Sequence, residues 1–327
     1  MAKGENASKQ EASAAKGADD LETQLGVSRA TAEKLRETHY DNLETLATCM
    51  PQELAIVIEM SEDTALKVIT AARKRVEASF ETGNAIMEQR LKIEKITTGS
   101  EELDKLIGGG VETQAITEAF GKFGSGKSQL GFQLCVTAQL PRDKGGLEGA
   151  VLFIDTEGTF RPERISQMAE ARDLEPTKIL ENIHVAQAMN SDHQMFLTEK
   201  AENLIREKKI RLIVVDSLTA TFRSDYLGRE MLNERQHKLN KHIHLLLRYA
   251  RNNNLAIYVT NQVMDNPGMM FGDPTTPIGG HVLAHTSTYR LYLRRSKEDR
   301  RIAKLVDSPN LPDGECVFRV TPDGLAD

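Results

Sequence analysis

The stretch from Gly121 to Ser128 reads GKFGSGKS and fits the pattern G-x-x-x-x-G-K-[ST] without a mismatch. Ahead of it, QAITEAF (Gln114 to Phe120) is apolar at Ile116, Ala119 and Phe120, as expected of a strand entering a turn. Behind it, QLGFQLCVTAQL (Gln129 to Leu140) places Leu130, Leu134 and Ala138 at helical spacing. Strand, glycine-rich loop and helix start are the context in which this motif binds a nucleoside triphosphate. Gly121, Gly124 and Gly126 let backbone N–H groups wrap a phosphate, and the helix N-terminus adds a favourable dipole. The expected nucleotide contacts are Gly121, Lys122, Phe123, Gly124, Ser125, Gly126, Lys127, Ser128 and the following Gln129. Lys127 can reach the β- and γ-phosphates, and the Ser128 hydroxyl can ligate Mg²⁺.

A chain of 327 residues exceeds one ordinary domain, so a large domain with a small companion is expected. No apolar run approaches a membrane span, and the polar N-terminus has no signal-peptide core, which leads to the expectation of a cytoplasmic protein without membrane contact. Three scattered cysteines, Cys49, Cys135 and Cys316, argue for reduced thiols and against a zinc site. A net charge of −6 excludes a globally basic nucleic-acid coat, so any DNA contact must come from a local basic surface.

Four segments follow in order. Residues 1–20 have almost nothing to bury and read as a disordered tail. Residues 21–77 carry successive short helical patterns, with Ser61, Glu62 and Asp63 opening the last, and predict a small all-helical domain. This part resembles the helix-hairpin-helix module of DNA-handling proteins. However, Gly26-Val27 is followed by Ser28 and Arg29, and the second turn has Glu59-Met60 where a glycine is expected. Duplex binding and a docking role both remain open for it. Residues 78–91 form a linker in which Phe80 stands alone, three residues before Gly83. From residue 92 to 327, apolar runs at 151–155, 183–186, 212–216 and 255–261 alternate with helical stretches. That pattern predicts an α/β core with a mostly parallel sheet covered on both faces. More polar strands near the C-terminus suggest an antiparallel extension.

The remaining chemistry clusters at strand ends. Asp216 closes LIVVD and suits the acid that holds Mg²⁺. Glu157, after VLFID, is the candidate to orient the attacking water, with Asp155 as its competitor. Arg164 can lay its guanidinium over a base or can be a solvated helix arginine. Asn261 and Gln262 end a further strand, where amides can sense the γ-phosphate. The long Gly/Pro-rich stretch 263–281 contains Phe271. Residues 223–251 carry Arg223, Arg229, Arg235, Lys238, Lys241, Arg248 and Arg251 against three acids. A basic loop beside an apolar one suits single-stranded nucleic acid, whereas a solvated helix face is the plainer account.

Together GKFGSGKS, LFIDTEGTFRPER, LIVVDS, TNQV, PIGGHVLAHTSTYRLYLR and DSPNLPDGE resemble the strand-exchange recombinases of the RecA superfamily, in their archaeal and eukaryotic branch. The resemblance runs from Leu21 to the end. It implies a RecA-like P-loop ATPase core preceded by the helix-hairpin-helix domain. It also implies an ATP- and Mg²⁺-dependent, DNA-dependent ATPase, with K⁺ as a candidate second cation. Such a protein forms filaments on single-stranded DNA, exchanges strands with homologous duplex in recombination and repair, and works with recombination mediators; a ring homo-oligomer is also open. By the same resemblance Phe80 and Gly83 are a polymerisation anchor, Arg223, Arg229 and Arg235 belong to a first DNA loop, and Phe271 to a second. Gln262 then couples nucleotide state to that second loop. Asp307, Ser308 and Pro309 cap ATP across a subunit interface, and His285 faces the neighbour's γ-phosphate. Two rivals are a hexameric helicase with the same core, which would lack the Phe80 anchor, and a non-catalytic filament paralogue, which could lose Lys127, Ser128, Glu157 or Asp216 without penalty.

Overall fold

The computed structural model describes residues 21–38, 40, 42–76, 80–228, 230–265 and 275–327. The chain divides into two compact units, Met1–Ile86 and Met87–Asp327.

In the first unit, residues 21–25 form α1, followed by α2 (Arg29–Glu37), α3 (Leu43–Thr48), α4 (Pro51–Ile58) and α5 (Glu62–Arg75). Side-chain caps start three of them: Ser28 accepts from Thr31 N–H, Asn42 from Glu44 N–H, and Ser61 from Thr64 N–H. Leu25, Leu35, Leu46, Leu54 and Ile69 fill one small core. Two turns require left-handed backbone. Gly26 supplies one at φ 66°, but the other is made by Glu59 at φ 56°, an uncommon residue for that conformation. Lys34 pairs with the Glu59 carboxylate at 2.9 Å. The stretch read as a linker with a polymerisation anchor contains a helix, α6 (Gly83–Arg90), whose last four residues belong to the second unit and none of whose residues is buried. Without an apolar stripe the sequence offered no period to detect it.

The second unit opens with β1 (Lys95–Ile96), α7 (Glu101–Leu106), β2 (Val111–Glu112) and β3 (Ile116–Phe120). Next come α8 (Lys127–Thr137), β4 (Ala150–Asp155), α9 (Pro162–Glu170), α10 (Pro176–Glu181) and β5 (Ile183–Gln187). They are followed by α11 (Ser191–Lys208), β6 (Ile210–Asp216), α12 (Ala220–Asp225), α13 (Leu232–Asn252) and β7 (Ala256–Asn261). The end of the chain comprises β8 (Val263–Asp265), β9 (Thr275–Pro277), α14 (Gly280–Thr286), β10 (Tyr289–Arg295), β11 (Arg300–Asp307), β12 (Gly314–Thr321) and β13 (Gly324–Ala326). Helix α8 begins at Lys127, two residues earlier than its apolar spacing indicated, because the loop lysine is itself in the first turn.

Nine strands form one sheet in the order β13-β12-β11-β10-β3-β7-β6-β4-β5. From β10 to β5 neighbouring strands run parallel, and β11 to β13 extend the sheet antiparallel. Side-chain alternation divides the core. Val151, Phe153, Val214 and Tyr258 pack on one face, while Leu152, Ile154, Val215 and Val259 pack on the other. Parallel strands covered on both faces have to be apolar throughout, which is why these runs were legible. The parallel order also gathers the C-terminal ends of β3, β4, β6 and β7 at one edge. There Asp155 is in register with Asp216, and Phe120 with Asn261.

Beneath the polar edge, α13 buries His242. Its Nε2 lies 3.3 Å from Gln194 Nε2, the Phe222 ring is 5.8 Å away, and Nδ1 meets no partner among the described residues. Burial pushes the imidazole down to about 4. The folded protein therefore keeps His242 neutral where an unfolded chain, titrating near the ordinary value of about 6.5, takes up a proton. Stability is accordingly lost as pH falls from about 6.5 to 4, by about 3 kcal/mol in total from this group. Chemical denaturation across that range should show the loss, and His242→Gln should flatten this component of the profile.

Candidate active site

A cavity of about 670 Å³ opens at the strand edge, lined by Gly121 to Gln129 together with Glu157, Asp216, Gln262 and Arg301. Its floor is the glycine loop. Gly121, Gly124 and Gly126 adopt φ of 157°, 75° and 102°, and a Cβ at Gly121 would collide with the Leu293 carbonyl. Lys127 Nζ donates to the carbonyls of Gly121 at 2.8 Å and Lys122 at 3.1 Å, so the ammonium is held inside the loop. Burial lowers its pKa, while the charges of Asp216 and Glu157 oppose that shift. From β7, the buried Tyr258 hydroxyl donates to the Lys127 carbonyl at 2.8 Å and fixes the first turn of α8.

Asp216 is buried at the end of β6, with the hydroxyls of Thr260 and Thr159 donating to its two oxygens. A hydroxyl from Ser128, one carboxylate, phosphate oxygens and water form a donor set that fits Mg²⁺, which favours oxygen ligands and keeps part of its hydration. The loop also has room for an anion: the Ser125 hydroxyl is buried without a partner among the described residues, and Gly124 has open space where a Cβ would stand. A nucleotide with its metal therefore fits these residues.

Asp155 and Glu157 differ in their hydrogen bonds. The Asp155 carboxylate accepts the backbone N–H groups of Glu157, Thr159 and Phe160, at 3.2, 3.1 and 3.0 Å, and so shapes the turn. Glu157 is exposed to the cavity, and Gln262 Nε2 donates to its Oε1 at 2.7 Å.

Several expectations need correction. Asn261 is not a phosphate sensor beside Gln262: it is wholly buried, and its amide is bonded to Glu118, Ile278 and Thr219. Arg164 is not a solvated helix arginine. Its guanidinium donates to Gln129 Oε1 at 2.8 Å, to the Thr321 carbonyl at 2.6 Å, and to Gln167 and the Pro322 carbonyl. That fixes the plane of the group one side chain behind the cavity. The basic stretch is partly neutralised. Lys238 donates to Asp192 at 2.8 Å and covers the Tyr226 ring, and Lys241 lies 3.9 Å from Glu199. Arg223, on α12, is exposed and Arg235, on α13, is half-buried. Arg229 and Phe271 lie outside the described residues. His285, Asp307, Ser308 and Pro309, expected at a neighbouring subunit's ATP site, do not line this chain's own cavity. Sequence reasoning passed over Thr159, in the same turn as Glu157, and Arg301 and Thr260, which reach the cavity from strands far apart in the chain.

The model of the Rad51 family matches residues 89–327, well over half of the chain. The chain belongs to the Rad51 family of RecA-like recombinases. Rad51 proteins act in recombination and repair; the family binds DNA, hydrolyses ATP in a DNA-dependent way, typically with Mg²⁺, and self-associates. Among the described residues no helix is long and apolar enough to cross a membrane, and the three cysteines form no disulfide.

Proposed function

We propose that this Rad51-family protein is an archaeal RadA-type recombinase that uses ATP to assemble on single-stranded DNA and exchange it with a homologous duplex. The observation that carries the reading is the 2.7 Å hydrogen bond from Gln262 to Glu157. One end of that bond is the carboxylate able to orient water. The other begins the segment 263–281, which holds Phe271.

In this reading the glycine loop and Lys127 hold the phosphates, and Ser128 and Asp216 hold Mg²⁺. When bound, the metal supplies charge neutralisation on the phosphate oxygens. Glu157 orients the attacking water and accepts its proton at a carboxylate oxygen. Gln262 leaves Glu157 for the γ-phosphate, and its movement is felt by the second DNA segment. Arg164 positions Gln129 and the 321–322 turn beside the base. Arg223, Arg229, Arg235 and Phe271 contact single-stranded DNA through charge and apolar insertion. Asp307, Ser308, Pro309 and His285 complete the ATP site of a neighbouring subunit, with K⁺ as a candidate additional ion there. Recombination mediators and a cytoplasmic setting belong to the same reading.

Phe80 is 98% exposed, which favours an anchor inserted into the next subunit over a side chain covering its own domain. Phe80→Ala should shift assemblies to small species in size-exclusion chromatography without changing the melt; unchanged assembly would return Phe80 to a passive role. At the N-terminal unit, Glu62 and Asp63 occupy the first turn of α5, directly after the second turn. Carboxylates there repel phosphate, so a docking role fits better than duplex binding. ATP hydrolysis measured with and without single-stranded DNA tests the whole proposal: stimulation supports it, and an ATPase indifferent to DNA removes it.

A further inference from the structure

Strand β3 leads straight into the glycine loop, yet it buries a charged residue, Glu118, with no exposed surface. Its cross-strand neighbour on β10 is Arg290, whose Nε donates to Glu118 Oε2 at 2.7 Å. The other oxygen, Oε1, accepts from Asn261 Nδ2 at 2.8 Å. The same amide nitrogen donates to the Ile278 carbonyl at 2.6 Å, and Asn261 Oδ1 accepts from the Thr219 hydroxyl at 2.7 Å. Both donors and the acceptor of Asn261 are thus committed.

The partners are what give the cluster meaning. Thr219 immediately precedes α12, which carries Arg223, and Ile278 immediately follows β9 (Thr275–Pro277), which comes after Phe271 in the sequence. A second tie runs parallel: Arg290 lies over the Phe120 ring, Phe120 stacks on Tyr292, and the Tyr292 and Thr275 hydroxyls are 2.9 Å apart. Arg290 is also in register with Asp307 at a bulge between β10 and β11. A buried ion pair is a poor source of stability but fixes one geometry, because each half is costly to leave alone.

We propose that the Glu118–Arg290–Asn261 cluster is a positioning device that holds the roots of both DNA segments against the phosphate-loop strand and so sets how strongly DNA and ATP report on each other. This rests on the DNA-binding reading above. None of the three residues lines the nucleotide cavity.

Two variants test it. Glu118→Gln keeps shape and the Asn261 contact but removes the ion pair; Thr219→Val keeps volume and releases only the first root. Basal turnover and KM for ATP should stay within about twofold, while the ATP-driven gain in single-strand affinity and the DNA-driven gain in kcat each fall about tenfold. Hydrogen exchange should rise at both roots in Glu118→Gln and only around 217–226 in Thr219→Val. Unchanged gains and unchanged exchange in folded variants would overturn the proposal. If Glu118→Gln loses its native melt, Thr219→Val decides. A parent protein that shows no DNA stimulation removes the DNA reading instead, and exchange at the two roots still judges the positioning role.

Discussion

Lys127→Ala should lose ATP binding, with affinity falling at least about 100-fold. The ammonium is enclosed by the glycine loop and held by two backbone carbonyls. Asp216 and Glu157 are close enough to act on its titration, so without it the cavity presents two carboxylates to a polyanion. Charge-assisted hydrogen bonds are worth about 1.5–3 kcal/mol each, and about 3 kcal/mol corresponds to a factor of about 100. Equilibrium titration with a fluorescent ATP analogue measures the loss, and a melt insensitive to added ATP checks it independently. Retained tight binding would remove Lys127 from the phosphate site.

Glu157→Gln should bind ATP and single-stranded DNA normally and turn over about 10²–10³-fold more slowly. The amide keeps an oxygen for the Gln262 contact, so the local structure has no reason to change. What it loses is the ability to accept a proton from water. Asp155 cannot substitute, because its carboxylate is bound to three backbone N–H groups of the same turn. Single-turnover hydrolysis separates this chemical defect from slower product release; a normal rate would move the water-orienting role to another group.

The glycine loop was legible because phosphate binding demands its residues at contiguous spacing, and the α/β core because parallel buried strands are apolar on both faces. Side chains whose meaning depends on distant partners were not. Asn261 and Gln262 look alike in sequence, but one ends a strand inside the protein and the next enters the cavity. Glu118 has no local signal in QAITEAF, because its partner Arg290 stands 172 residues away on β10. Lys238 counted as a DNA-attracting charge until folding brought Asp192 against it, 46 residues away. Helix α6 has neither apolar stripe nor buried residue, so nothing in its pattern announced it. Glu59 in the left-handed turn is the converse case: the sequence lacked the glycine, and the fold makes the turn regardless.

Recombinase activity is measured most directly by strand exchange, with ATP, between single-stranded DNA and either homologous or heterologous duplex. The expected result is exchange that requires homology and accompanies DNA-stimulated ATP hydrolysis. ATP-driven unwinding without homology dependence would contradict it in favour of a helicase, and hydrolysis and exchange both absent would contradict it in favour of a regulatory filament subunit.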